Sequence, residues 1–197
     1  MNSDLTWLVC GLGNPGDRYA RTRHNLGAMT VAELASRAGE RLKKVRFVNV
    51  HAADFTEGPH RVIVATADAY MNESGPSYAS LARKRDIEPA NVIAVHDELD
   101  LAFGALKVKV GGSTAGHNGL RSLEGALRTP EFHRVRVGIG RPPGRQDPGD
   151  FVLRPFSKDE AEHVPALVDD AADAVLSLVR DGLAAAQDRF NRGALPD

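Results

Sequence analysis

Histidines and neutral amides recur in this chain in short pairs, each where an apolar run gives way to a turn: Asn14, His24-Asn25, Met71-Asn72, His96-Asp97 and His117-Asn118. An imidazole exchanges protons near neutral pH and can serve as a general base. An aspartate beside it holds the ring in one orientation and stabilises its cation, while amide dipoles hold a polar substrate without adding charge. In α/β sheets, ligands gather at the carboxyl ends of strands. Several such turns converging on one crevice, with an aspartate available, suggest a hydrolase that activates water by base catalysis.

Other chemistries fit less well. Gly11-Leu12-Gly13-Asn14-Pro15-Gly16 matches a dinucleotide-binding fingerprint, but the acid at the right distance, Glu33, falls inside a predicted helix instead of at a strand end. Gly111-Gly112-Ser113-Thr114-Ala115 lacks the final glycine of a nucleophile elbow. His96-Asp97-Glu98 beside Asp100 is read as a hydrogen-bonded turn, so no metal is expected, and the single Cys10 excludes an internal disulfide and a multi-cysteine zinc site.

The elements that must position these turns are legible as alternating strands and helices. Leu5 to Cys10, Val45 to Phe55, Arg61 to Ala67, Asn91 to His96, Leu106 to Val110 and Phe132 to Ile139 are expected to be strands. Asn25 to Ala38, Ser74 to Arg85 and Asn118 to Leu127 are expected to be helices. Arg141 to Gly149 reads as a loop, and Ser157 to Glu160 as a capping box opening a C-terminal helical region whose first turns Pro165 interrupts. This order predicts an α/β single-domain sandwich over residues 1–197, with a mixed, mostly parallel central sheet flanked by helices.

With 197 residues, 42% of them hydrophobic and 26% charged, the chain is a globular domain and neither disordered nor fibrous. No apolar run approaches the ~18 residues of a membrane span, and the Met-Asn-Ser-Asp start predicts no secretory leader. The net charge of −1 hides an asymmetry. Residues 18–46 carry eight basic and two acidic side chains and residues 104–149 eight and three, whereas residues 150–197 carry five and ten. Two basic blocks that also hold the motifs point to a polyanionic partner contacted on one face.

Taken in order, the glycine-rich turn at 11–16, Tyr19, Thr22-Arg23-His24-Asn25, Tyr70-Met71-Asn72-Glu73-Ser74-Gly75, His96-Asp97-Glu98-Leu99-Asp100 and Gly116-His117-Asn118-Gly119-Leu120 resemble the motifs of bacterial peptidyl-tRNA hydrolases. Phe132 to Gly140 is similar to the family's last core strand, so the resemblance spans roughly residues 7–156, followed by a family-like helical tail. One departure is Ala67, where many members carry proline, followed by the acidic Asp68 near the expected nucleic-acid edge, at an expected cost to local substrate affinity.

The resemblance implies hydrolysis of the ester between a peptide and the 3′-terminal ribose of tRNA, which returns tRNA to translation after premature release. It makes His24 the general base and Asp97 the group that orients it. Asn14, Asn72 and Asn118 hold the peptide, the 3′ end or the water, with Asn72 or Asn118 stabilising the oxyanion. Tyr19, Met71 and His117 line the groove, Tyr19 either stacking on a base or serving only as wall. Lys107, Lys109 and Arg136 match tRNA-binding positions, extended by Arg141 and Arg145, although Arg136 lies mid-strand where it is equally able to pair with a core carboxylate. An ester is activated enough to need no cofactor or metal. The implied partner is peptidyl-tRNA alone, met by a cytoplasmic monomer with no membrane or obligate protein partner. The competing readings are a noncatalytic RNA-binding protein on the same fold and a general small-ester hydrolase.

Overall fold

The apolar run after Asp4 becomes strand β1 (Thr6–Gly11), which leads through a single 3₁₀ turn at Arg23–Asn25 into helix α1 (Leu26–Arg37). The chain continues through β2 (Lys43–Lys44), β3 (Val50–Glu57), β4 (His60–Ala67), α2 (Gly75–Lys84), β5 (Val92–Glu98), β6 (Leu106–Val110), α3 (Asn118–Leu127) and β7 (His133–Gly138). It closes with α4 (Pro148–Val152), α5 (Lys158–Asp181) and α6 (Leu183–Phe190). The computed structural model describes residues 4–191; the expectations for the Met1–Ser3 start and for the last residues of a 1–197 domain lie outside them.

One mixed sheet organises the molecule, in the order β2-β3-β4-β1-β5-β7-β6. The central strands β4, β1, β5 and β7 are mutually parallel, while β2, β3 and β6 join antiparallel at the two edges. Strand alternation divides the core. Trp7, Val9, Val62, Val64, Ile93 and Val95 face α1, α5 and α6, whereas Leu8, Cys10, Ile63, Ala65, Val92 and Ala94 face α2 and α3. Covering both faces is why β1, β4 and β5 read as continuous apolar runs.

Three expectations need correction. The strand expected from Val45 begins at Val50, because Val45 to Asn49 form a turn in which Phe47 takes a positive φ of 64°. The loop expected over 141–149 is shorter, because Asp147 caps the amide of Asp150 and starts α4 at Pro148. Pro165 does not interrupt α5, which runs on from its Ser157–Glu160 capping box. Pro165 is exposed, so water can take the carbonyl it leaves free, while the burial of Leu167, Val168, Ala171 and Val175 carries the helix past it.

The site depends on how closely α1 approaches the sheet. At Gly27 a Cβ would collide with the Val95 carbonyl oxygen and stand 2.6 Å from the Leu12 nitrogen. Gly27→Ala is therefore expected to destabilise the protein by about 1–3 kcal/mol, read as a lower urea midpoint. Gly125, exposed in α3 with nothing near its missing Cβ, should behave oppositely, Gly125→Ala gaining roughly 0.5–1 kcal/mol.

Candidate active site

Strand β5 is buried along its whole length, yet it ends in His96, Asp97 and Glu98, each less than a tenth exposed. A buried carboxylate is tolerated only where it is paired. Asp97 is paired twice: its Oδ1 lies 2.9 Å from His24 Nδ1 and 2.9 Å from His117 Nε2. The two histidines arrive from opposite flanks, His24 on the 3₁₀ turn before α1 and His117 at the N-cap of α3.

Hydrogen bonding assigns the protons. His117 Nδ1 accepts from the Gly119 and Leu120 amides at 3.1 and 3.3 Å, so its Nε2 carries hydrogen and donates to Asp97. His24 Nδ1 likewise donates to Asp97, which leaves the His24 Nε2 lone pair as the free base of the cluster. Burial works against the His24 cation, but the charge and hydrogen bond of Asp97 outweigh it and raise the His24 pKa above 6.5. Burial also works against the Asp97 anion, and the two histidines reverse this, holding its carboxyl well below the usual range. His96 is different. Burial, then the neighbouring His117, push its pKa well below 6.5, and its Nδ1 is spent on the Asp97 carbonyl at 2.8 Å.

The trio of His24, Asp97 and His117 places three ligand-type atoms within 4.8 Å of one another, the spacing of a small metal site. The donor chemistry does not fit a metal, because both histidine nitrogens facing Asp97 carry the hydrogens that bind it. The acidic turn singled out in sequence does not converge either. Glu98 takes the Arg136 guanidinium at 3.0 Å and Asp100 takes Arg141 Nε at 2.9 Å. Ser113, in the failed nucleophile elbow, accepts from the Ala115 amide at 3.1 Å.

Beside the trio lies a groove of about 320 Å³ whose walls include His24, His117, Asn118, Asp100, Arg141 and Val152. Asn14 and Met71 sit close by as a unit: Asn14 Oδ1 accepts from the Met71 amide at 2.8 Å, while Asn14 and Asn25 exchange two hydrogen bonds of 2.9 Å. The Asn14 acceptor is thus committed, and its NH₂ is what it can offer. Met71 is buried, and Asn72 beside it is exposed. Tyr19 meets Tyr70 edge-on, with ring centroids 6.5 Å apart, and is not among the walls of the His24 groove.

The expected RNA-binding cations do not form a single strip. Lys107 is exposed and Lys109 half-buried on edge strand β6, as alternation predicts, and Arg141 is exposed at the groove rim. Arg136 is bound to the buried Glu98, the alternative that its mid-strand position had raised. Members of the two basic blocks are also divided, since Lys43 and Lys44 on β2 and Lys107 and Lys109 on β6 lie at opposite edges of the sheet. Asp68 lies at the β2 edge, where Lys44 neutralises it at 2.6 Å, and so is remote from Lys107 and Lys109.

Two structural arginines went unrecognised in the sequence. Arg23 is buried, donates to the Pro155 carbonyl at 2.8 Å and to Glu160, and stacks on Phe151 at 4.1 Å, anchoring the turn that carries His24. Arg134 is fully buried, lies over Phe132 and donates to the Ser113 carbonyl at 2.8 Å, anchoring the loop that leads to His117. Only the aromatic neighbour Phe132 hinted at the second, and nothing local marked the first.

A family model described as Peptidyl-tRNA hydrolase matches residues 8–196. Among curated relatives, the peptidyl-tRNA hydrolase of Arthrobacter sp. (strain FB24) is 49% identical over 188 residues, covering 94% of this chain and 96% of that protein. That of Nocardia farcinica is 50% identical over 184 residues, covering 93% and 95%. The crystal structure of peptidyl-tRNA hydrolase from Acinetobacter baumannii superposes with a TM-score of 0.88 at 34% identity, covering 96% of each chain.

Followed by the NMR shift of its ring proton, His24 should titrate with a midpoint above 6.5. Asp97→Asn should lower that midpoint, because the amide removes the opposing charge while burial persists. His96 should titrate, if at all, with a midpoint well below 6.5, a shift in the opposite direction from that of His24.

Proposed function

The chain belongs to the peptidyl-tRNA hydrolase family and hydrolyses peptidyl-tRNA, and on that premise we propose that His24 is the general base, that Asp97 orients it, and that His117 positions Asp97. The observation that carries this reading is the double hydrogen bond to Asp97, which leaves the Nε2 lone pair of the groove-lining His24 free. A water between Nε2 and the ester carbonyl loses a proton to His24 as its oxygen bonds to carbon. The carbonyl electrons move onto oxygen, and amide donors from Asn14, Asn72 and Asn118 stabilise that charge or hold the peptide and 3′ end. When the tetrahedral intermediate collapses, the bond to the ribose oxygen breaks and the His24 cation returns its proton to that oxygen. The products are a free 3′-terminal ribose and the peptide acid. Asp97 keeps the imidazolium stable between the two transfers.

The tRNA body rests on Lys107 and Lys109, with Arg141 at the rim and Arg145 beyond, through phosphate contacts that carry affinity without sequence information. Arg136 supports that surface by holding Glu98. Tyr19 and Met71 shape the approach to the groove. We propose one catalytic domain over residues 1–197, acting as a monomer, because His24, Asp97 and His117 all come from one chain. Its substrate arises where ribosomes work, which supports a cytoplasmic setting; among the described residues no helix is long and apolar enough to cross a membrane.

His24→Ala should lower turnover by about 10²–10⁴-fold while tRNA binding and folding persist, as only proton transfer is removed. Turnover within a few-fold of the parent would place the base elsewhere. The base acts when neutral, so kcat/KM should rise with pH to a plateau above the raised His24 midpoint. Dialysis against EDTA should leave activity intact, since an ester needs no Lewis acid and the trio's hydrogens are already spent on each other. Replacing Lys107 and Lys109 together with Ala should raise KM for full-length substrate and flatten its salt dependence by nearly one unit of slope per lost contact. Turnover at saturation should change little, and a minimal substrate carrying only the terminal nucleotides should be nearly unaffected.

A further inference from the structure

The turn between β2 and β3 exposes an aromatic side chain that the fold does not use. Phe47 is 86% exposed and sits at a φ of 64°, a left-handed conformation unfavourable for a bulky side chain and not compensated here by burial. Its ring is flanked by cations, the Arg46 guanidinium at 4.5 Å and the Lys84 ammonium at 6.0 Å, and Lys84 also donates to the Arg46 carbonyl at 2.7 Å. Beside it runs a groove of about 410 Å³ lined by Lys43, Lys44, Arg46, Lys84 and Arg85. Asp54 is the one acidic residue among the described residues that line the groove, and it is bound to Arg61. Asp68 neutralises Lys44, so Lys43, Arg46, Lys84 and Arg85 are the groove cations left without an ion pair among the described residues, and Lys84 is the one spent on a carbonyl, that of Arg46.

We propose that this groove is a second RNA-binding surface, which takes a short unpaired segment with one base stacked on Phe47 and flanking phosphates on Lys43, Arg46 and Arg85. An exposed ring set among free cations is the combination that tracks single-stranded nucleic acid. An acidic protein would have no need of the ring, and a membrane surface would need more exposed apolar area than one phenyl.

The occupant is an RNA strand other than the tRNA held at the β6 edge. β2 and β6 are the two edges of a seven-stranded sheet, six strand spacings or about 29 Å apart. Val50 pairs with Ala67 at the carboxyl end of β4, which places the Phe47 turn at the same end of the sheet as His24. A tRNA whose 3′ end enters the His24 groove from the β6 side therefore leaves this surface open. That choice of occupant rests on the Lys107–Lys109 assignment.

The test uses the full chain and a fluorescent ten-nucleotide oligoadenylate, read by anisotropy, with inorganic polyphosphate as a probe that has charge but no bases. Phe47→Ala should weaken oligoadenylate binding roughly five- to a hundred-fold and leave polyphosphate binding unchanged. Arg46→Ala with Arg85→Ala should weaken both about tenfold and reduce the salt slope by about 1.4, two contacts at single-strand strength. Both variants should keep the parent's melting temperature and its kcat and KM on peptidyl-tRNA. Saturating uncharged tRNA should fail to displace the oligoadenylate, and Lys107→Ala with Lys109→Ala should leave its affinity unchanged. Oligoadenylate binding unaltered in the Phe47 and Arg46/Arg85 variants would overturn the proposal, as would full displacement by tRNA. A loss found only in the Lys107/Lys109 variant would overturn it too. If that last variant hydrolyses full-length substrate normally, the tRNA-edge reading fails instead, and the oligoadenylate result still decides this one.

Discussion

A carboxylate anion held out of water at the end of β5, one of the central parallel strands, is the constraint around which this protein is arranged. Asp97 is 2% exposed, paired with Val137 in a wholly buried strand, and alone it would be neutral or would unfold the strand's end. Two imidazoles make it tenable. Each has to be brought in by a different crossover, so the cost of the buried charge ties the turn after β1 to the loop after β6. His117 is further restrained because one of its nitrogens serves as the cap of α3. The helix start thereby dictates which nitrogen faces Asp97, and the Asp97 charge in turn dictates that His24 presents Nε2 outward.

Holding two histidines at hydrogen-bonding distance needs rigid supports, and both are buried arginines. Arg23 is wedged between Phe151, Phe156, Glu160 and the carbonyls of the segment before α5, which fastens the His24 turn to the C-terminal region. Arg134 reaches the Ser113 carbonyl from beneath the glycine-rich loop. A guanidinium suits this work because its flat face packs on rings while its fixed N–H groups reach oxygens, carbonyl and carboxylate together at Arg23 and the Ser113 carbonyl alone at Arg134. These residues count as basic in the sequence, but they contribute little to the surface field.

Charge is distributed by the sheet order in the same way. The acidic C-terminal region is partly consumed by α1, where Arg37 binds Glu33, Asp169 and Asp173. Among the other cations, Lys107 and Lys109 stand on β6, and Lys43, Lys44 and Arg46 stand around the β2–β3 turn at the opposite edge. A linear count of basic residues could find both blocks but could not place them in space, because the sheet order and not the sequence order puts β2 and β6 at opposite edges.

What the sequence determined by itself was whatever depends on near neighbours. Continuous apolar runs identified β1, β4 and β5, since strands covered on both faces have no polar side. The glycine-rich entry to Asn118–Leu127 and the Ser157–Glu160 box marked helix starts, because caps are local hydrogen bonds. The residues alone suggested turns that can converge on one crevice, and it was the resemblance to peptidyl-tRNA hydrolases that implied one site holding His24, Asp97 and His117. Burial overruled local reasoning at Pro165, which α5 runs through because its buried face holds it, whereas the late start of β3 at Val50 and the start of α4 at Pro148 came from local features, the turn at Phe47 and the Asp147 cap. Only the tertiary structure decided that Asn14 spends its acceptor on Met71, that Arg136 belongs to Glu98, and that His117 shares Asp97 with His24. Each of those facts is a hydrogen bond between residues 20 or more positions apart. The residue types at either end permit such a bond, but only the path of the chain between them selects it.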